Sequence, residues 1–243
     1  MAGTILRKAL VLTPEQEEFL RTVPDDTEEA PWMVMADLQV RDVELLRSIL
    51  LLHVERERLP WYLASYLKIS VPRPAVTRLL DAAPDLLMVE AEDRLRTSWN
   101  IREEGKPPQF VLEVATGSSW GRDTEDKPLI YGSMGVGEYA IFAPERRDGP
   151  VLFGYRRGAS GTFDAWTPDE RGVLWSRELA GLGLYVEERL WLRVQDADGR
   201  RLPTPRELAA EEAAARATDS VRLQLAEAEV VRLREEIRRL RET

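Results

Sequence analysis

Residues 109–144 read QFVLEVATGSSWGRDTEDKPLIYGSMGVGEYAIFAP. The two ends of this stretch, QFVLEVA from Gln109 and EYAIFAP from Glu138, are short apolar runs of strand length. Between them DTEDKPLIYGSMGV predicts a helix with Asp123 as its cap, acidic residues in its first turn and glycines at its exit. Strand, helix and strand at this spacing predict a βαβ crossover joining parallel strands. Pro128 then has to fall within the first helical turn, where its missing N–H costs little. Within the first strand Glu113 stands among Phe110, Val111, Leu112 and Val114. A carboxylate there either points outward by strand alternation or is buried with a partner, because charged groups are almost never buried alone.

Outward from this unit, towards the N-terminus, LLMVEA from Leu86 predicts a strand opened by Pro84-Asp85, and WYLASYLKISV after Pro60 predicts another. Further upstream DLQVRDVELLRSILLLHVERER, starting at Asp37, sets Leu38, Val43, Leu46, Leu50 and Val54 near helical spacing and predicts a core helix. Residues 1–36 carry seven acidic against three basic side chains and predict a short helix followed by a solvated loop. Towards the C-terminus, residues 151–200 alternate polar and apolar types around Gly158, Gly161, Gly172 and Gly199, as hairpins extending or flanking the sheet would. From 205 to 243 Leu223, Ala226, Val230, Leu233, Ile237 and Leu240 recur at alternating spacings of three and four, a coiled-coil seam with Glu235 and Arg239 as a supporting pair. The organisation expected is therefore an acidic segment over 1–36, an α/β domain with a mixed sheet over 37–204, and a coiled-coil helix over 205–243.

Composition limits the chemistry. The 243 residues, 44% of them hydrophobic, suffice for one ordinary core plus an appendage. Cysteine is absent and there is one histidine, which excludes disulfides, thiolate sites and imidazole zinc cages. A metal would sit on carboxylate oxygens, favouring Mg2+ with Mn2+ as substitute. The first residues lack the apolar core of a secretory signal, and no stretch approaches the roughly 20 apolar residues of a membrane span, so a cytoplasmic protein without membrane contact is expected. The net charge of −9 works against a polyanionic ligand, whose affinity rests on phosphate neutralisation.

Three residues carry the chemical expectation: Asp85 at the opening of one strand, Glu113 within the next and Lys127 in the following helix. Phosphodiester hydrolysis needs carboxylates to hold hard cations and a fixed positive charge for the developing negative charge, and Asp85 and Glu113 on adjacent strands can converge. Singly, each has an ordinary explanation as a turn residue, an outward strand position or a solvated lysine. Asp42, Glu44 and Glu55 on the early helix are further acidic candidates, although helix-face carboxylates are usually solvated. His53 reads as structural. Arg94, Arg96, Arg102, Lys106 and Arg122 lie between the motif strands, where a phosphate backbone can be contacted.

APDLLMVEA, TSWNIREEGKPP, the stretch from Gln109 to Pro144, Tyr131 one turn after Lys127, GVGEY, and the DADGRRLPTPRE boundary before a charged helix together resemble the Uma-type restriction endonuclease family of the PD-(D/E)xK superfamily. The resemblance extends from about Met35 over most of the chain. It implies a restriction-endonuclease-like fold, with Asp85 and Glu113 as metal ligands and Lys127 in the role of the motif lysine. In the superfamily's commonest pattern that lysine stands two residues after the glutamate, where this chain has Ala115. The implied activity is metal-dependent cleavage of nucleic acid, DNA by resemblance. The competing expectation is a catalytically degenerate nuclease fold that presents its coiled coil to a second copy or to another partner.

Overall fold

The apolar spacing from Asp37 produces α1 (Asp37–Glu57), which buries Val43, Leu46, Ile49 and Leu50 along one face. Full burial of each such side chain contributes about 1.5–3 kcal/mol, so the stripe holds the helix to the sheet beneath it. The structure, a computed structural model, describes residues 37–72 and 79–241 together with Pro14 and Glu18. Apart from those two residues, the helix and loop expected over 1–36 lie outside the described residues.

Beneath α1 lies a six-stranded sheet in the order β1 (Trp61–Ala64), β4 (Leu86–Glu90), β6 (Phe110–Val114), β7 (Glu138–Ala143), β8 (Val151–Arg157), β9 (Phe163–Trp166). The β6–β7 pair is parallel, as the crossover predicts, and the other pairs are antiparallel, which makes the sheet mixed. A three-stranded sheet of β2 (Ile69–Pro72), β3 (Leu79–Ala82) and β5 (Trp99–Asn100) follows the order β3-β2-β5 and leads into the short helix α2 (Ile101–Glu104). Of the hairpins expected between 151 and 200, β8–β9 extends the main sheet and β11–β12 belongs to the third sheet, β10 (Leu174–Trp175), β11 (Gly183–Glu187) and β12 (Trp191–Gln195).

Strand alternation divides the core in two. Phe110, Leu112 and Val114 of β6 join Leu86 and Met88 of β4 on the face covered by α1 and by β11 and β12. Val111, Ala115, Leu87 and Val89 face the other way, into a cluster with Ile130, Tyr131 and Met134 of α3 (Lys127–Met134). The crossover ends on Gly135, whose φ of +88° closes α3 in the left-handed conformation. Two residues later a Cβ at Gly137 would lie 2.6 Å from the Gln109 carbonyl oxygen, so the close approach of the chain to β6 requires glycine.

Two local expectations are corrected. WYLASYLKISV is not one strand but two, β1 and β2, which lie in different sheets. The chain breaks at Tyr66, whose φ of +57° no strand accommodates, and periodicity does not reveal such a break. The second correction concerns Asp123, which is not a cap: helical structure starts at Trp120, and Asp123 donates its backbone N–H to the Ser119 carbonyl at 2.9 Å.

The compact unit that contains the three sheets ends at Leu202. Considered by itself, the following unit is dominated by α4 (Pro205–Arg241), along which no residue is buried. A reciprocal pair starts it: Glu207 N–H donates to Thr204 Oγ1 at 3.1 Å and Thr204 N–H to Glu207 Oε2 at 2.8 Å. Leu223, Val230, Leu233, Ile237 and Leu240 are exposed along it.

Candidate active site

The antiparallel register of β4 on β6 pairs Leu86 with Leu112 and Met88 with Phe110. Continued by one residue, it sets Asp85 opposite Glu113. Their neighbours Leu86, Leu112 and Val114 belong to the α1 face, so alternation turns both carboxylates to the other face, towards α3. Cross-strand partners of this kind have Cβ atoms roughly 4.5–5.5 Å apart. Asp85 Oδ2 accepts the Val114 N–H at 2.6 Å, which draws its carboxylate over the edge of β6. Both acids are buried, at 5% and 3% exposure, so Glu113 is not an outward-facing strand residue.

Three helix positions four residues apart meet this pair. Lys127 Nζ lies 2.9 Å from Glu113 Oε1 and 2.8 Å from Asp123 Oδ1. Tyr131, one turn later, donates its hydroxyl hydrogen to Glu113 Oε1 at 2.5 Å. From the opposite side of the sheet order, Gln39 on α1 donates its amide to Asp85 Oδ1 at 2.9 Å. Asp85, Glu113 and Lys127 are thus brought together, and Asp123, Tyr131 and Gln39 join them.

Pro128 explains the local shape. Residues Arg122–Asp126 form a π-helical turn in which the Lys127 N–H reaches back to the Arg122 carbonyl. The carbonyls of Asp123 and Thr124 would next need a donor at position 128, where proline has none. The Tyr139 hydroxyl supplies one to Asp123 O at 2.8 Å and the Tyr155 hydroxyl one to Thr124 O at 3.2 Å. Proline inside a continuous helix is therefore tolerated because strands β7 and β8 satisfy what it leaves open, and the widened turn carries Lys127 to the carboxylates.

Charge dominates this cluster. Three buried carboxylates face one ammonium, so the group is negative unless a proton or a cation joins it. Burial, opposed by Lys127 and reinforced by Asp85 and Asp123, pushes Glu113 up to about 8. Asp85 is also raised, first by burial, although the Val114 N–H, Lys127 and Gln39 work against the shift. For Lys127 burial disfavours the charge, but Glu113 and Asp123 outweigh it and hold the ammonium well above its ordinary value. Burial and Glu113 keep Tyr131 a protonated donor.

The donor set suits a hard divalent cation: carboxylate oxygens in negative excess, with no nitrogen or sulfur ligand. Among the described residues no three His, Cys, Asp or Glu side chains form a metal-holding group. A site on Asp85 and Glu113 would leave its other positions to water and substrate oxygens, as magnesium sites commonly do.

Other sequence candidates separate. Glu44 and Glu55 are exposed on α1, whereas Asp42 is buried, neither of its oxygens has a hydrogen-bond partner among the described residues, and burial above all pushes it up to about 6. His53 packs against Trp61 with ring centroids 6.2 Å apart, and burial lowers its pKa. Arg94 and Arg96 both pair with Glu104, and the Lys106 ammonium donates to the Glu90 carbonyl. Arg102 is exposed and Arg122 opens the π-helical turn. Sequence reasoning missed Gln39 and took Asp123 for a cap. For Asp123 the available signal was spacing: Asp123, Lys127 and Tyr131 at successive fourth positions share one helical face.

A solved structure described as a "putative nuclease belonging to DUF820" from Anabaena variabilis ATCC 29413 aligns at 11% identity and a TM-score of 0.40, over 54% of this chain and 68% of that one. No curated protein matches the chain. Residues 31–187 match the sequence model of the Uma2 family, described as "Putative restriction endonuclease", and the chain belongs to that family.

Proposed function

We propose that the chain is a metal-dependent endonuclease that hydrolyses phosphodiester bonds in DNA, with Asp85, Glu113 and Lys127 as its working centre. The observation that carries this reading is the placement of Asp85 opposite Glu113 on one sheet face with the Lys127 ammonium 2.9 Å from Glu113. Family membership supports a restriction-endonuclease-like activity and leaves the substrate to the site.

Asp85 and Glu113 would hold Mg2+, or Mn2+ in its place. When bound, such an ion supplies Lewis-acid polarisation of the phosphate and an acidified water. The Val114 N–H and Gln39 fix the Asp85 carboxylate, which limits its rotation away from the substrate. Tyr131 anchors Glu113 Oε1 and leaves Oε2 to face the ligand. Lys127, held between Glu113 and Asp123, offers a fixed positive charge to the oxygen on which negative charge develops, a preorganised role worth about 2.7–4 kcal/mol where comparable donors are removed.

The decisive experiment compares full-length protein with Asp85→Ala and Glu113→Ala on single- and double-stranded DNA and RNA in Mg2+ and Mn2+. Both variants should melt like the parent and lose cleavage. Wild-type cleavage no greater than that of Asp85→Ala under every condition would remove the enzymatic reading.

For α4, the exposed seam from Leu223 to Leu240 supports pairing with a second copy as a coiled coil. No helix among the described residues is long and apolar enough to cross a membrane, which is compatible with the cytoplasmic placement proposed for this nuclease.

A further inference from the structure

Beside the edge strand β1, the flank of α1 and the loop from Asp93 to Arg96 enclose a cavity of about 600 Å3, within the roughly 300–1,000 Å3 range of ligand sites. Arg47 and Ser65 line it, and among the described residues the buried Arg47 Nε and Ser65 Oγ have no hydrogen-bond partner. Groups so buried are nearly always paired in native proteins. Arginine only donates hydrogen bonds, so a partner for Arg47 has to bring acceptor oxygens, and one that also brings negative charge fits best. Arg94 and Arg96 in the same wall are committed to Glu104, whereas Arg47 has no ion pair among the described residues. Arg47 is thus the arginine of this wall whose charge is left for a ligand.

The cavity adjoins the segment that carries Asp85. Tyr66 lines it and donates its backbone N–H to the Pro84 carbonyl at 3.1 Å, immediately before Asp85. Its φ of +57° is a conformation that a bulky residue adopts only where the surroundings enforce it, and such strain gathers at functional sites. The ring stays partly exposed, and Leu95 at the rim is fully exposed. A cationic, hydroxyl-bearing wall beside an exposed aromatic ring is the combination by which proteins track a nucleic-acid strand.

We propose that this cavity receives the nucleic-acid strand on one side of the scissile phosphate, with Arg47 and Ser65 holding a backbone phosphate and Tyr66 stacking on the neighbouring base. The assignment rests on the nuclease reading above. Because Arg47, Ser65 and Tyr66 lie outside the proposed metal site, they govern binding and leave the cleavage chemistry to the carboxylates.

The test measures binding of fluorescein-labelled DNA, single-stranded and duplex, to the full chain by anisotropy over a range of salt, with Ca2+ replacing Mg2+, and cleavage in parallel with Mg2+. Arg47→Ala should weaken binding about tenfold and lower the salt slope by about one, and Arg47→Lys should recover part of the loss. Tyr66→Asn, which tolerates the left-handed backbone, should weaken it by about fivefold to a hundredfold. Arg200→Ala, on an exposed turn, should bind like wild type. If wild type binds and cleaves while Arg47→Ala and Tyr66→Asn do both equally well, the cavity is not the strand's path and the nuclease reading stands. Wild type that neither binds nor cleaves overturns both assignments. Unchanged melting curves for the Arg47 variants separate a lost contact from a lost fold.

Discussion

Glu113 and Glu138 stand on neighbouring parallel strands and are equally buried, yet their surroundings differ in kind. Glu138 is saturated: Arg156 Nε donates to it at 2.7 Å, the Arg177 N–H at 3.0 Å and the Ser176 hydroxyl besides, tying β7 to β8 and to the segment after β10. Glu113 shares a single lysine with Asp123 and faces Asp85. A buried carboxylate with its own cation and several donors stabilises a fold, whereas several carboxylates around one cation leave charge for a ligand to neutralise. The same residue type therefore serves the architecture in one place and is poised for chemistry, in our reading, in the other.

The strongest way to break this comparison is to neutralise each glutamate in turn. Glu138→Gln should lower unfolding free energy by about 3 kcal/mol, because Arg156 loses its counter-ion in a largely buried setting. Glu113→Gln should melt no lower than wild type at alkaline pH. Its folded-state pKa is raised from 4.5 to about 8, so the wild-type acid costs stability progressively as pH rises through that window, and glutamine lacks this cost. Denaturant titrations at acid and alkaline pH decide the matter, and equal losses in both variants would erase the distinction.

Lys127→Ala sharpens it next. A charge-stabilising lysine should leave Mg2+ affinity in place while turnover falls about a hundredfold, measurable by calorimetry and single-turnover cleavage. Ala115 shares the Glu113 face of β6, so adding Ala115→Lys should restore part of the activity if an ammonium from that position reaches the same phosphate oxygen. Undiminished turnover in Lys127→Ala would refute the role.

Asp42 tests the principle away from the site, since its carboxylate is buried with no hydrogen-bond partner among the described residues and only the charge of Arg41 opposes its burial. With its pKa raised from 3.8 to about 6, it costs little near pH 4 and its full amount above pH 6. Asp42→Asn should raise stability by about 2 kcal/mol at pH 8 and by almost nothing at pH 4. A gain of the same size at both values would assign the effect to packing. The smallest effect on stability is expected from deleting residues 205–243, since no residue of α4 is buried, and the deletion should lower the number of copies per particle seen by light scattering; the same number for both forms at every concentration would remove self-association.

Part of the candidate site was legible because chemistry left marks in a linear pattern. Glu113 interrupted an apolar strand, Pro84-Asp85 opened another, and Lys127 stood at the start of a helix between two strands. Gln39 was not legible, because a glutamine in an amphipathic helix has no feature that announces a partner at position 85. Nor did Pro128 reveal that Tyr139 and Tyr155 would complete the carbonyls it strands. Tyr66 shows the same limit in the backbone, where a single left-handed residue sends WYLASYLKISV into two sheets.

By itself the sequence determined the α/β class, the parallel crossover from β6 to β7, the core helix from Asp37 and the long C-terminal helix, because apolar period and turn residues act over short distances along the chain. It also confined any metal to oxygen ligands, since the chain holds no cysteine and one histidine. Only the tertiary structure decided that Asp85 faces Glu113 across two strands, and that Glu138 has an arginine beside it while Glu113 shares its one lysine with Asp123. Those outcomes depend on strand register and on which partners a buried charge finds after the chain has folded, and neither is encoded in local spacing.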